Sequence, residues 1–333
     1  MTRREIIKKT ALALSVLSLP FSLSTCAKSN KMTYYKNFEV IIIGGSYAGL
    51  SAAMALGRAL RNTLIIDSGL PCNRQTPHSH NFITLDGEKP NIIAEKAKSQ
   101  VLKYDTVKFH NAEVVTCTKE ANDFFITTRN GEEFSAKKLI FATGIKDMMP
   151  NISGFAECWG ISVIHCPYCH GYEVKREKTG ILANGNMAFH YAQLIRNWTT
   201  DLTIFTNGQS TLTQEQTTKI KKHNIPIIEK EIAYLNQQNG EVQEIVFKDN
   251  STFALKAIYS RPIFEQHCQI PQELSCELTE QGYIKVDMFQ KTTVANVFAC
   301  GDSTSPMRSV ANAVAAGNLV GAVLNNIITE EEF

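Results

Sequence analysis

Apolar and polar positions alternate in a pattern that divides the chain into strands and helices from about Asn37 onward. Phe38–Ile43 is a short apolar run rich in β-branched residues, glycines follow at once, and Leu50–Leu60 reads as an Ala-rich helix. Asn62–Asp67 is a second strand, so the chain opens as strand, helix, strand. Residues 90–103 carry the spacing of an amphipathic helix, and alternating segments at 112–117, 123–129 and 134–141 predict antiparallel strands. Lys138–Gly144 is a strand that enters a tight turn. A second strand, helix, strand series follows in Gly180–Ala183, Met187–Trp198 and Leu202–Thr206, then antiparallel-type segments at 241–248 and 251–260. Val297–Cys300 is a buried strand that leads into Gly301 and Asp302. An Ala/Gly-rich helix runs from about Ser309 to Ile328; its Val310–Leu324 face is expected in the core or at a dimer surface, and Thr329–Phe333 is expected to be a solvated acidic tail.

These elements predict an α/β protein with two Rossmann-like, three-layer ββα dinucleotide-binding domains, the second inserted in the first. The expected division is 1–30 as an export segment, 36–148 as the first part of one domain, 149–265 as the insert, and 266–333 as the returning part. A length of 333 residues suits this arrangement. The net charge of +2 offers no electrostatic case for nucleic acid. Four of the bases (Arg3, Arg4, Lys8 and Lys9) lie in the first nine residues, so the body without them is close to neutral.

That N-terminus reads as an address. Thr2–Lys8 resembles a twin-arginine export signal, and Ala11–Leu23 is apolar but too short to span a bilayer. Leu23–Cys26 resembles a bacterial lipobox, with Thr25 departing from the usual small residue before the cysteine. The expectation is export to the periplasm or cell envelope, with a possible lipid anchor at Cys26. Nine cysteines make no evident disulfide framework; Cys117, Cys158 and Cys300 sit in apolar contexts and read as buried small hydrophobes.

Three motifs carry chemistry. Gly44-Gly45-Ser46-Tyr47-Ala48-Gly49 lies between a strand and a helix, with Asp67 ending the next strand. Gly44 permits a tight turn, the small Ser46 lets a pyrophosphate approach the helix N-terminus, Gly49 lets helix and strand pack closely, and Asp67 can accept hydrogen bonds from a ribose. Thr292–Asp302 and Phe141–Gly144 are further strand-to-turn segments, the first ending in Gly301 and Asp302, the second containing Thr143. His165-Cys166-Pro167-Tyr168-Cys169-His170-Gly171-Tyr172-Glu173 holds two cysteines that can close a disulfide across one turn, with histidines on either side to handle protons. A zinc site would need a second ligand pair, for which Cys158 and the histidines are poor candidates. His78 and His80, near Cys72, suit a loop packed near the cofactor better than a metal site.

Together the motifs resemble the low-molecular-weight thioredoxin reductases over residues 38–330, within the pyridine-nucleotide disulfide reductases. The run His165–Glu173 is closest to the dithiol oxidases that form the disulfides of gliotoxin and holomycin. The resemblance implies FAD held by Gly44, Gly45, Ser46, Gly49, Asp67, Thr143, Gly301 and Asp302, with Asn81 as a further flavin contact and Arg308 approaching the isoalloxazine. It implies Cys169 beside the flavin, Cys166 as the cysteine that exchanges with substrate, and His165 or His170 as the proton shuttle. It also implies a homodimer acting on a small dithiol or a thioredoxin-like protein. The second nucleotide motif departs from the family: Ala183–Ala188 lacks the turn glycine, and Thr206-Asn207-Gly208 has no arginines for the phosphate of NADPH. NADPH is therefore doubted. The expected function is oxidation of a dithiol to a disulfide with oxygen or another acceptor. The alternatives are a thioredoxin-disulfide reductase-like enzyme fed by NADPH or a protein donor, and a flavin-binding redox sensor without turnover.

Overall fold

The computed structural model describes residues 36–333; the twin-arginine, apolar and Cys26 features lie outside the described residues. The first sheet has the order β3-β2-β1-β6-β5-β4, from Lys36–Ile43 (β1), Thr63–Asp67 (β2), Val107–Asn111 (β3), Val114–Glu120 (β4), Asp123–Thr128 (β5) and Glu133–Phe141 (β6). Strands β3, β2, β1 and β6 run parallel, and β6 turns antiparallel toward β5 through its first half. The parallel pairing of β6 modifies the antiparallel expectation for 134–141. Its second half, Lys138–Phe141, is buried throughout, and a strand covered on both faces belongs at the centre of a parallel sheet. Val297–Ala299 returns late in the chain to pair parallel with β6, so the C-terminal piece completes the first sheet.

The second sheet repeats the plan. Thr179–Leu182 (β9), Leu202–Phe205 (β10) and Ile227–Ile228 (β11) take the parallel order β11-β10-β9, followed by Ala257–Ser260 (β15) and Val163–Ile164 (β8). In the first sheet the last strand of the antiparallel meander, β6, lies beside the opening strand β1; in the second, β15, which follows the meander, lies beside the opening strand β9. The meander here is Ile232–Gln238 (β12), Glu241–Phe247 (β13) and Thr252–Ala254 (β14). The expected single strand at 251–260 is thus two strands of different sheets. Residues 257–260 are all buried and join the parallel sheet, while 252–254 stay in the meander. The chain passes between the two folds through an antiparallel ribbon, Ile145–Asp147 (β7) with Phe264–Gln266 (β16).

Three helices share the core over the first sheet, Pro90–Val101 among them. Tyr47–Arg58 (α1) begins three residues earlier than its hydrophobic pattern predicts, because the small residues Ala48 and Gly49 already form its first turn. The long C-terminal helix, Val310–Glu332 (called αC here), lies directly on it: a Cβ at Gly317 would stand 2.1 Å from the Ala48 carbonyl oxygen. Val320 and Leu324 of αC are fully buried against α1, so much of the expected apolar face is core. The acidic end, Thr329–Phe333, is exposed as expected, but it is helical and ion-paired rather than a loose tail. The helix continues to Glu332, Lys138 inside the fold pairs with Glu331 and Asn296, and Arg61 bridges Glu39 and Glu332. A lysine side chain 4 % exposed requires an anion, and the last turn supplies it.

Candidate active site

The first motif closes on itself as its residue types require. Gly44 ends β1 with φ +104°, and a Cβ there would lie 2.3 Å from the Ala142 carbonyl oxygen. At Gly49 a Cβ would lie 1.9 Å from the Gly44 carbonyl oxygen, so only glycine brings α1 this close to the loop. The Gly45 N–H donates to Asp67 Oδ1 at 2.8 Å, which fixes the acid at the loop before any ribose arrives. Ser46 is the N-cap of α1 with its side chain making no capping bond, so its hydroxyl does not compete for the first-turn N–H groups. Thr143 stands beside this cradle, with a buried Oγ1 that has no hydrogen-bond partner in the protein.

Gly301 and Asp302 form a single 3₁₀ turn after the returning strand. Burial pushes the Asp302 carboxyl up, and Arg308 opposes that shift, with its Nε 3.6 Å from Asp302 Oδ2. The terminal nitrogens of Arg308 form a two-point bridge to Asp147 at 2.8 and 2.9 Å, and its buried Nε makes no hydrogen bond. Arg308 is therefore anchored by the ribbon strand β7, a partner that nothing in the local sequence announced. Cys72, exposed as a residue, also reaches this corner with its Sγ 4.0 Å from Asp302 Oδ2; desolvation at the sulfur and then Asp302 push its thiol up to about 11. It stays a protonated donor. Orphaned buried polar atoms at Thr143 and Arg308, with a glycine cradle and a prepositioned acid, fit a dinucleotide cofactor.

Cys166 and Cys169 are joined as a disulfide with their Cα atoms 5.2 Å apart. Cys166 is the N-cap of the single turn Pro167–His170, and its sulfur accepts the Cys169 N–H at 3.1 Å. Proline at the first helical position suits a turn that starts so abruptly. His165 stacks on Trp159 with ring centroids 5.7 Å apart, its carbonyl accepts the Tyr191 hydroxyl, and its buried Nε2 has no partner. Burial, then Arg308, lower its pKa to about 3. Burial, then His80, lower His170 to about 4.

A cleft of about 290 Å³ opens beside the cysteine turn, with His80, Asn81 and Asp86 on one wall and Tyr168, Tyr172 and Glu173 on the other. Asn81 has φ +59°, and its N–H donates to Asp86 Oδ1 at 2.7 Å. The loop of His78 and His80 thus packs against the cysteine segment, and no cluster of three metal-binding side chains exists among the described residues. Sequence reasoning put His80 and Cys72 on a loop near the cofactor without giving them a role, and Glu173 lay inside a motif already singled out; Asp147 becomes visible only when distant segments meet.

The depressed histidines give a pH prediction. The unfolded chain protonates both imidazoles as pH falls through about 6.5, whereas the native chain resists until about 4 for His170 and about 3 for His165. The stability they contribute is complete above pH 6.5 and is lost on acidification toward those values. Melting temperature is expected to drop from pH 7 to pH 5, and to drop less in His170→Gln; equal slopes in thermal denaturation would contradict the buried neutral imidazole.

Comparison with known proteins follows the same lines. A family model described as pyridine nucleotide-disulphide oxidoreductase matches residues 38–317. Thioredoxin reductase tcpT of Claviceps purpurea is 32% identical over 298 residues, 85% of this chain and 92% of that protein. Thioredoxin reductase sirT of Leptosphaeria maculans is 29% identical over 305 residues, 86% and 93% of the two chains. Among solved structures, an oxidoreductase from Agrobacterium tumefaciens is 35% identical with a TM-score of 0.82, covering 88% of this chain and 99% of that one. HlmI is 29% identical with a TM-score of 0.85, covering 91% and 96%. With a glycine cradle at Gly44, an acid at Asp67 and a disulfide at Cys166–Cys169, the chain belongs to the pyridine nucleotide-disulphide oxidoreductase family and is a thioredoxin reductase-like, FAD-dependent oxidoreductase acting on sulfur groups.

Proposed function

We propose that the enzyme works in the oxidising direction, converting a dithiol to a disulfide at Cys166–Cys169. The observation that carries this reading is the state of the second nucleotide fold. Asn184 caps the helix Gly185–Ile195, its Oδ1 accepting from Gly185 N at 2.8 Å, Thr211 N at 2.8 Å and Thr211 Oγ1 at 3.1 Å. Its Nδ2 donates to the Gln209 carbonyl. The loop after β10 is thereby tied over the helix N-terminus, where a pyrophosphate would need free N–H groups. Asn207 is spent on Ile232 N, and no guanidinium stands at the strand end.

In this reading Cys166 exchanges with the substrate and Cys169 faces the flavin, with Gly44, Gly45, Ser46, Gly49, Asp67, Asn81, Thr143, Gly301 and Asp302 holding FAD. FAD, when bound there, would supply a two-electron sink for the cysteine dithiol, with oxygen or another acceptor as the final oxidant. Arg308 acts on the cofactor through its fixed place beside Asp302. The substrate is a small dithiol or a thioredoxin-like protein, and the enzyme is a homodimer. The reading keeps domain borders at 148/149 and 265/266, with the β7/β16 ribbon as its support, although the second border falls within β16. The names of the fungal relatives favour a second reading, reduction of a thioredoxin-like disulfide with an outside donor. Anaerobic mixing with dithiothreitol decides between them: dithiol alone should bleach the oxidised flavin, and a flavin that bleaches only with a nicotinamide would move the enzyme to the reductase class.

Export rests on Arg3 and Arg4 before Ala11–Leu23. Replacing both arginines with lysine is expected to leave the protein in the cytoplasm, and unchanged fractionation would remove the twin-arginine assignment. Release from membranes by Cys26→Ala tests the anchor separately.

A further inference from the structure

His80 sits on a loop of the first fold yet faces the cysteine segment of the second. The loop is built to hold it there. Ser79 N–H donates to the Glu88 carbonyl at 2.8 Å, Gly87 N–H to the Ser79 carbonyl at 2.9 Å, and Asn81 N–H to Asp86 Oδ1. The His80 side chain is 20% exposed, with Nε2 3.5 Å from Glu173 Oε1 and Nδ1 3.7 Å from Asp86 Oδ1. Each ring nitrogen therefore has its own carboxylate, one on the cysteine segment and one toward solvent, where Asp86 is 67% exposed. The other titratable and charged groups around it are His170, next to Cys169, Tyr168 and Tyr172 on the far wall of the cleft, Lys175 with its Nζ 3.1 Å from the Tyr172 ring centroid, and His78 with its ring centroid 6.5 Å from that of His80.

We propose that His80 is a proton-relay residue for the cysteine pair, acting through His170 and Glu173 and discharging at Asp86. The proposal rests on the dithiol reading above. When a substrate thiol attacks Cys166 Sγ, a sulfur–sulfur bond to substrate forms, the Cys166–Cys169 bond breaks, and Cys169 leaves with the electron pair as a thiolate. Attack by the second substrate thiol on the substrate sulfur of that mixed disulfide closes the product and releases Cys166. Two electrons then reside on the cysteine sulfurs, and two protons must leave the thiols. His170 follows Cys169 in the chain and can accept a proton, but an imidazole lowered to about 4 holds it only briefly. An imidazole between two carboxylates can take a proton at one nitrogen and release another from the opposite nitrogen without turning. His80 acts as a positioning residue in this sense, since it reaches the cysteine pair through other side chains.

The test uses His80→Gln and Glu173→Gln in the FAD-loaded enzyme, with flavin reduction by dithiothreitol followed under argon from pH 6 to pH 9. His80→Gln is expected to slow reduction about 10- to 100-fold at pH 7. The gap should close toward pH 9, where the dithiol ionises by itself, and added imidazole should restore part of the rate. Glu173→Gln should show the same pH-dependent defect to a smaller extent, with FAD content unchanged in both. A loss of equal size at every pH without imidazole rescue, or no loss, would overturn the relay. A second measurement runs the exchange backwards, from chemically reduced enzyme to oxidised dithiothreitol, scored by thiol alkylation. If dithiothreitol fails to bleach wild-type flavin while this exchange keeps the defect, the oxidase reading falls and the relay stands. An exchange without the defect removes the relay whichever direction the enzyme runs.

Discussion

Cys166→Ser is expected to retain FAD and to lose reduction of the flavin by dithiols by more than about a thousandfold. The cysteines form the disulfide of this site, and a serine oxygen cannot stand in for a sulfur that must be attacked and then leave. Cys169→Ser should lose the reaction as completely, because no disulfide remains to accept the electrons. The two variants differ in what is left. Cys166 alone should form a mixed disulfide with an added small disulfide quickly, as the exchanging cysteine; Cys169 alone should do so slowly. Stopped-flow absorbance of the oxidised flavin under argon gives the first result, and mass spectrometry of the trapped adduct gives the second. Either serine variant keeping reduction within tenfold of wild type would remove the cysteine pair from the electron path. Equal labelling of the two remaining cysteines would remove the division of roles between them.

NADPH and NADH are expected to reduce the flavin poorly. A site that binds the 2′-phosphate with two guanidinium groups draws on charge-assisted hydrogen bonds worth about 1.5–3 kcal/mol each, and losing both corresponds to roughly a hundredfold to ten-thousandfold in affinity. At the strand end this chain has Thr206, Asn207 and Gly208, with the Asn207 side chain already bonded to Ile232 N. NADH avoids the phosphate loss but finds no acid for its ribose and meets the same tied loop. Asn184→Gly should free the helix N-terminus, since it deletes the carboxamide that holds Gly185 and Thr211, yet it should leave NADPH weak because the phosphate partners are still missing. Rapid, saturable reduction of wild-type flavin by micromolar NADPH would sink this reading and return the chain to the reductase class.

The motifs were legible because their chemistry needs particular residue types at short, fixed spacing. A glycine turn with an acid at the end of the next strand, and two cysteines one helical turn apart, are local statements, and the structure places Gly44 against Ala142, Gly45 on Asp67, and Cys166 in a disulfide with Cys169. Periodicity likewise marked the two α/β series, since burial on one face is written into consecutive residues. Where a strand is buried on both faces, alternation disappears, and the direction of 257–260 could only be read from its neighbours Val163–Ile164 and Thr179–Leu182. The acidic end is solvated as its composition implies, but its ion pairs were not legible for a related reason: its partners, Lys138 and Arg61, lie nearly 200 residues or more away in the chain. The histidines beside the cysteines had the right identity for proton transfer, but their neutrality follows from burial and from charges on other elements. The Arg308–Asp147 bridge, the Cys72–Asp302 contact and the His80–Glu173 pair all join segments far apart in sequence. Sequence by itself determined which chemical groups this protein carries and how neighbours along the chain are spaced. Only the tertiary structure decided which of them are desolvated and which charge each one faces, because burial and electrostatic pairing depend on distances in space.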